Sequence, residues 1–252
     1  MNRHLRLHGL PDSSEQARST LRVIFDVESL MVDPTPGIRH CLRLTARDFG
    51  VEVPERWFRG CWSSRMPFHD ALGHVLKTDD PQRIEEGCLR YHQHFSEDGR
   101  FRGNLRPGAV QLFAALASDA DIELNYLTHI GLSAAVRLLD TYGVAHLPRN
   151  IVTPEEAHCP GVRLPLIEHL TTRNDSDSRP WILLSDHPFE LSFARRLGKL
   201  RTIGIGYARL SMEMLQSLQP DAIAEHPGEI VALLHPDAGA TDFRHESVLT
   251  IH

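Results

Sequence analysis

The chain opens its patterned region with a short apolar run, residues 21–25, that contains Val23 and Ile24 and stops at the charged Asp26. That is the signature of a strand buried on both faces. A second pattern follows at once. Pro36 sits where a helix start tolerates it, and Ile38, Cys41, Leu42, Thr45 and Phe49 recur at helical spacing until Gly50 ends the run. From Pro54 to about Leu105 the reading stays helical, with amphipathic stretches over 68–76 and 81–95 and no strand pattern. A new helix is expected after Pro107, carrying Val110, Leu112, Phe113 and Leu116. Beyond it strands (122–127, 180–184, 201–205, 221–224) alternate with helices (133–142, 160–170, 188–197, 228–234). The polar stretch 171–178 reads as a surface loop. Strand and helix in alternation with short links predict an α/β fold: a parallel sheet with helices on both faces.

Bulk properties narrow the function classes. At 252 residues and 41% hydrophobic content the chain can bury a large core. Its formal charge of −6, with no long basic run, argues against a nucleic-acid partner and leaves a small molecule as the expected one. No apolar run approaches membrane-spanning length, and residues 1–20 lack the apolar centre of a signal peptide, so the expectation is a cytoplasmic protein without a membrane partner. Cys41, Cys61, Cys88 and Cys159 form no Cys-x-x-Cys pair and read as reduced thiols. His92 and His94 invite a metal reading, but residues two apart on a helix point in different directions, so a solvated helix face is the expectation.

The chemistry concentrates in Asp26-Val27-Glu28-Ser29-Leu30-Met31-Val32-Asp33. This stretch resembles the nucleophile loop of the haloacid dehalogenase (HAD) superfamily, Asp-x-Asp-Gly-Thr-Leu-Val-Asp. Glu28 takes the place of the second carboxylate, and Ser29-Leu30 replace Gly-Thr. Later segments extend the resemblance over about 21–234, closest to the phosphoglycolate phosphatase and beta-phosphoglucomutase branch with its helical cap. Arg59-Gly60 and Pro67-Phe68-His69-Asp70-Ala71-Leu72 are similar to the cap, and Arg106-Pro107-Gly108-Ala109-Val110 to the return into the core. Thr128 supplies the hydroxyl motif at a strand end. Ser185-Asp186-His187-Pro188-Phe189-Glu190 parallels Gly-Asp-Ser-x-x-Asp, and the pattern continues through 194–205. One motif is missing. Where a lysine is wanted, His158-Cys159-Pro160-Gly161-Val162-Arg163 offers Arg163 as the only full positive charge, with His158 able to carry one when protonated.

The resemblance implies a HAD-like Rossmannoid core over 21–35 and 106–236, an inserted all-helical cap over 36–105, and tails at 1–20 and 237–252. It also implies a Mg2+-dependent phosphatase acting on a small phosphorylated metabolite through an aspartyl-phosphate. Asp26 would be the nucleophile, Glu28 the acid/base with one methylene more than aspartate, and Thr128 and Arg163 the groups facing the phosphoryl oxygens. Mg2+ would take Asp26, the Glu28 backbone carbonyl, Asp186 and Glu190. Arg59, Arg65 and His69 are candidates to meet a substrate from the cap, against the solvated face that charged cap helices usually present. Four departures at once (Glu28, Ser29, Leu30, no lysine) keep a second class open, a catalytically degenerate relative with a binding or regulatory role. A phosphomutase, which needs a well-placed second acid twice, and a dehalogenase, which needs a cationic halide site, fit less well.

Overall fold

The computed structural model describes residues 21–60, 67–155, 164–172, 179–208 and 210–235. Strand β1 (Leu21–Phe25) runs into a one-turn helix α1 (Val27–Met31) and a two-residue strand β2 (Val32–Asp33). Four helices follow: α2 (Thr35–Asp48), α3 (Glu55–Gly60), α4 (Phe68–Leu76) and α5 (Pro81–Glu97). A 3-10 turn (Gly99–Arg102) then leads to β3 (Asn104–Leu105). The rest alternates as the pattern requires: α6 (Ala109–Ser118), β4 (Ile122–Leu127), α7 (Leu132–Thr141), β5 (Asn150–Val152), α8 (Leu164–Thr172), β6 (Trp181–Ser185), α9 (Pro188–Leu197), β7 (Leu200–Ile205), α10 (Met212–Ser217), β8 (Ala222–Ala224) and α11 (Glu229–Leu234).

Six strands form one sheet in the order β5-β4-β1-β6-β7-β8, every pair parallel. Alternation along the strands sends side chains to opposite faces. Val23, Phe25, Leu124, Tyr126, Ile182 and Leu184 join α1, α6, α7 and α11 in one apolar cluster. Ile24, Leu127, Leu183 and Trp181 meet α8 and α9 in another. The helical insertion has its own centre, Cys41, Leu42, Ala46, Phe58, Leu72, Val75, Leu76 and Tyr91.

Three short strands escape the sequence pattern, β2, β3 and β5. β2 and β3 pair antiparallel, Val32 with Leu105 and Asp33 with Asn104, so the chain leaves and re-enters the core through one narrow ribbon. The reading of 54–105 as wholly helical is corrected there, because two residues are too few to show a period. The ribbon is tightly docked. A Cβ at Gly37 would come within 1.9 Å of the Gly99 carbonyl oxygen, one at Gly99 within 2.3 Å of Cys41 Sγ, and one at Gly103 within 2.2 Å of Val32 Cγ1. Only glycine admits this approach.

Candidate active site

Chain order around β1 decides where a site can form. The chain runs from β1 outward to β4 and β5, then returns to the other flank of β1 as β6, β7 and β8. In open parallel sheets such a reversal leaves a crevice at the carboxyl ends of the strands. Asp26, Thr128 and Asp186 are the residues immediately after β1, β4 and β6, three neighbouring strands. The fold thus brings them to one edge.

Asp26 is 3% exposed and Asp186 1%. Asp26 caps α1: its Oδ1 accepts from the Glu28 backbone N at 3.1 Å, and its Oδ2 from the Ser29 hydroxyl at 3.2 Å. An aspartate at an N-cap satisfies a helix donor and gains from the helix dipole. Ser29, where the resembled pattern has glycine, takes its place without backbone strain. The non-glycine residues with positive φ among those described are Lys77 and Gln219, and Ser29 lies inside α1. Leu30 has no hydroxyl to offer and packs in the core, while its carbonyl accepts from the Tyr207 hydroxyl at 3.3 Å.

Thr128 is fully buried, and its Oγ1 accepts from the Ile130 backbone N at 3.3 Å. Beside it stands Tyr126, whose hydroxyl is held protonated far beyond the usual range, first by burial and then by the negative charge of Asp26. Tyr207 is pushed up in the same way by burial, opposed by Arg106 and reinforced by Asp186. Arg106 reaches this corner through Nη1, which donates to the Tyr207 carbonyl at 3.1 Å. Glu190 is buried, and its Oε2 accepts from the Ser185 hydroxyl at 2.7 Å, so one oxygen of this candidate metal ligand is engaged within its own loop.

The residue that sequence reasoning missed is Arg100. Its Nη1 lies 2.7 Å from Glu28 Oε2, with side-chain exposures of 8% and 18%. The two are 72 positions apart, and nothing in the local pattern of the 3-10 turn signals the pairing. Arg163, His158, Cys159 and Arg65 lie outside the described residues. His69 is exposed on α4, and Arg59 falls in α3. His92 faces solvent on α5, while His94 Nε2 sits 2.7 Å from Asp48 Oδ2.

The donor set suits a hard cation. Mg2+ prefers oxygen ligands, keeps several waters and commonly takes one or two carboxylates. Asp26 and Asp186 supply two buried carboxylates on adjacent strands, and the α1 backbone carries the carbonyl at position 28. Among the described residues no group of three or more His, Cys, Asp or Glu side chains forms a metal cage. Two carboxylates and one backbone carbonyl, with water for the remaining positions, are donors of the kind that magnesium takes.

Neither a family model nor a curated protein matches the sequence. Solved structures do. A haloacid dehalogenase-like hydrolase of Streptococcus pneumoniae shares 22% identity over 86% of this chain and 99% of its own, with a TM-score of 0.66. A candidate beta-phosphoglucomutase of Thermotoga maritima gives 18%, 86%, 99% and 0.59 in the same measures. A candidate HAD-type hydrolase of Bacillus subtilis, solved with magnesium bound, gives 15%, 86%, 100% and 0.58. The chain has the HAD fold, an α/β core with an inserted helical segment.

Proposed function

We propose that this protein is a magnesium-dependent phosphomonoesterase acting on a small phosphorylated metabolite, with Asp26 as nucleophile. One observation carries the reading: two buried carboxylates, Asp26 and Asp186, stand at the ends of adjacent parallel strands, with a third acid, Glu28, two residues from the first. In this reading residues 36–105 form a cap over the site. Asp26, Asp186 and the carbonyl of residue 28 would hold Mg2+, which supplies charge neutralisation at the phosphoryl oxygens when bound.

The chain's own groups carry two displacements. An Asp26 oxygen attacks phosphorus, the bond from phosphorus to the leaving oxygen breaks, and that oxygen takes a proton from Glu28. Water then attacks the same phosphorus, Glu28 accepts its proton, and the carboxylate of Asp26 leaves with inorganic phosphate as product. Dividing one hard displacement into two is the gain of covalent catalysis, and one acid can serve both halves. The Thr128 hydroxyl, at the end of β4, is the group that would donate to a phosphoryl oxygen.

The test is hydrolysis of an aryl phosphate and a panel of small metabolite phosphates with Mg2+, comparing wild type with Asp26→Asn. Metal-dependent turnover that disappears in the variant is expected. Equal rates in two folded proteins would overturn the enzyme reading and point to the binding role.

A further inference from the structure

Glu28 is one methylene longer than the aspartate of the pattern it resembles, and a longer arm carries more rotamers to be fixed. The fold provides a device that fixes it. Arg100 belongs to the 3-10 turn that closes the helical insertion, and its guanidinium holds Glu28 Oε2 at 2.7 Å. Arg100 is itself held from several sides. Its carbonyl accepts from the Tyr142 hydroxyl at 3.5 Å, its guanidinium lies 5.5 Å from the Phe95 ring centroid, and Gly99 seats its turn against Gly37 and Cys41. A hydrogen bond between a guanidinium and a carboxylate is charge-assisted, shorter and stronger than one between neutral groups, so the oxygen that Arg100 binds is held in place.

We infer that Arg100 is the positioning residue for Glu28, setting the longer side chain at the reach from which its carboxylate takes the proton of the attacking water. This rests on the phosphatase reading above. It adds that the insertion contributes to the chemistry through a side chain that touches the acid rather than the substrate. Arg100 is then coupled to the length of residue 28: glutamate needs it, and aspartate, which falls short of the guanidinium, does not.

The experiment is a double-mutant cycle on kcat and KM with an aryl phosphate and Mg2+, using wild type, Arg100→Gln, Glu28→Asp and the double variant, with Arg100→Lys alongside. Circular dichroism confirms the fold of each. A misplaced catalytic group costs on the order of 100-fold. Arg100→Gln should therefore lower kcat by about that factor with KM little changed. Arg100→Lys should recover part of the loss, and in the Glu28→Asp background Arg100→Gln should cost little. Fold losses that multiply across the cycle, or a change confined to KM, would overturn the assignment while leaving the phosphatase reading in place. If Arg100→Gln does not fold, the comparison of Arg100→Lys in the two backgrounds decides by the same criterion. Wild-type protein without Asp26-dependent turnover would overturn both.

Discussion

Asp26 accepts from the Glu28 backbone and the Ser29 hydroxyl inside its own loop, and this shows how little of a residue's setting its identity alone conveys. Cys41 makes the same point for reactivity. It is a fully buried thiol on α2, raised to about 11 mainly by burial and secondarily by the charge of Asp98. Alkylation at pH 8 followed by peptide mapping should leave Cys41 unmodified in the folded protein and modified in denaturant. Labelling at the rate of an exposed thiol would contradict the placement. Below its ordinary value of 9.0 the thiol is protonated in both states, and its share of stability is fully present. Between pH 9 and about 11 the unfolded chain ionises while the fold holds the proton, so that share is lost as pH rises. Urea midpoints of Cys41→Ala should accordingly fall less across that window than those of wild type.

Among elements, the ribbon of β2 and β3 with the turn before it sets the geometry of the site. Its close approach is tested by Gly37→Ala, whose Cβ would sit 1.9 Å from a backbone oxygen that cannot swing away. Overpacking of this kind costs about 1 to 3 kcal/mol, read as a lower urea midpoint. Because the displaced turn carries Arg100, turnover should fall as well. Gly50→Ala is the contrast. Its φ of +69 makes a side chain cost about 1 kcal/mol, yet nothing lies within 4 Å, so stability should drop with turnover unchanged. An unchanged midpoint in Gly37→Ala would contradict the packing. The sequence made β1, β4, β6, β7 and β8 legible because each is a mainly apolar run, broken by Arg22 in β1, by Glu123 and Asn125 in β4 and by Arg201 and Thr202 in β7. It hid β2, β3 and β5, which span two or three residues and show no period. Asp26, Thr128 and Asp186 were legible because each ends such a run. Arg100 was not, since its role depends on glycines at 37, 99 and 103 that let two distant segments touch.

For the whole molecule, sheet order does most to create the site, by ending three neighbouring strands on Asp26, Thr128 and Asp186. The helical insertion with its separate apolar cluster sits on the same ribbon and reaches back through Arg100. No helix among the described residues is long and apolar enough to cross a membrane. The fold alone does not name a substrate, because one architecture hosts many chemistries. Phosphoryl transfer through Asp26 would leave a covalent intermediate on that carboxylate, and this intermediate can be trapped. Protein turning over an aryl phosphate with Mg2+ is quenched into hydroxylamine, which converts an acyl phosphate to a hydroxamate, and the peptide containing residue 26 is examined by mass spectrometry. A hydroxamate is expected at Asp26 that is absent without substrate and absent in Asp26→Asn. Turnover with no label at Asp26, or with the label on another carboxylate, would contradict it.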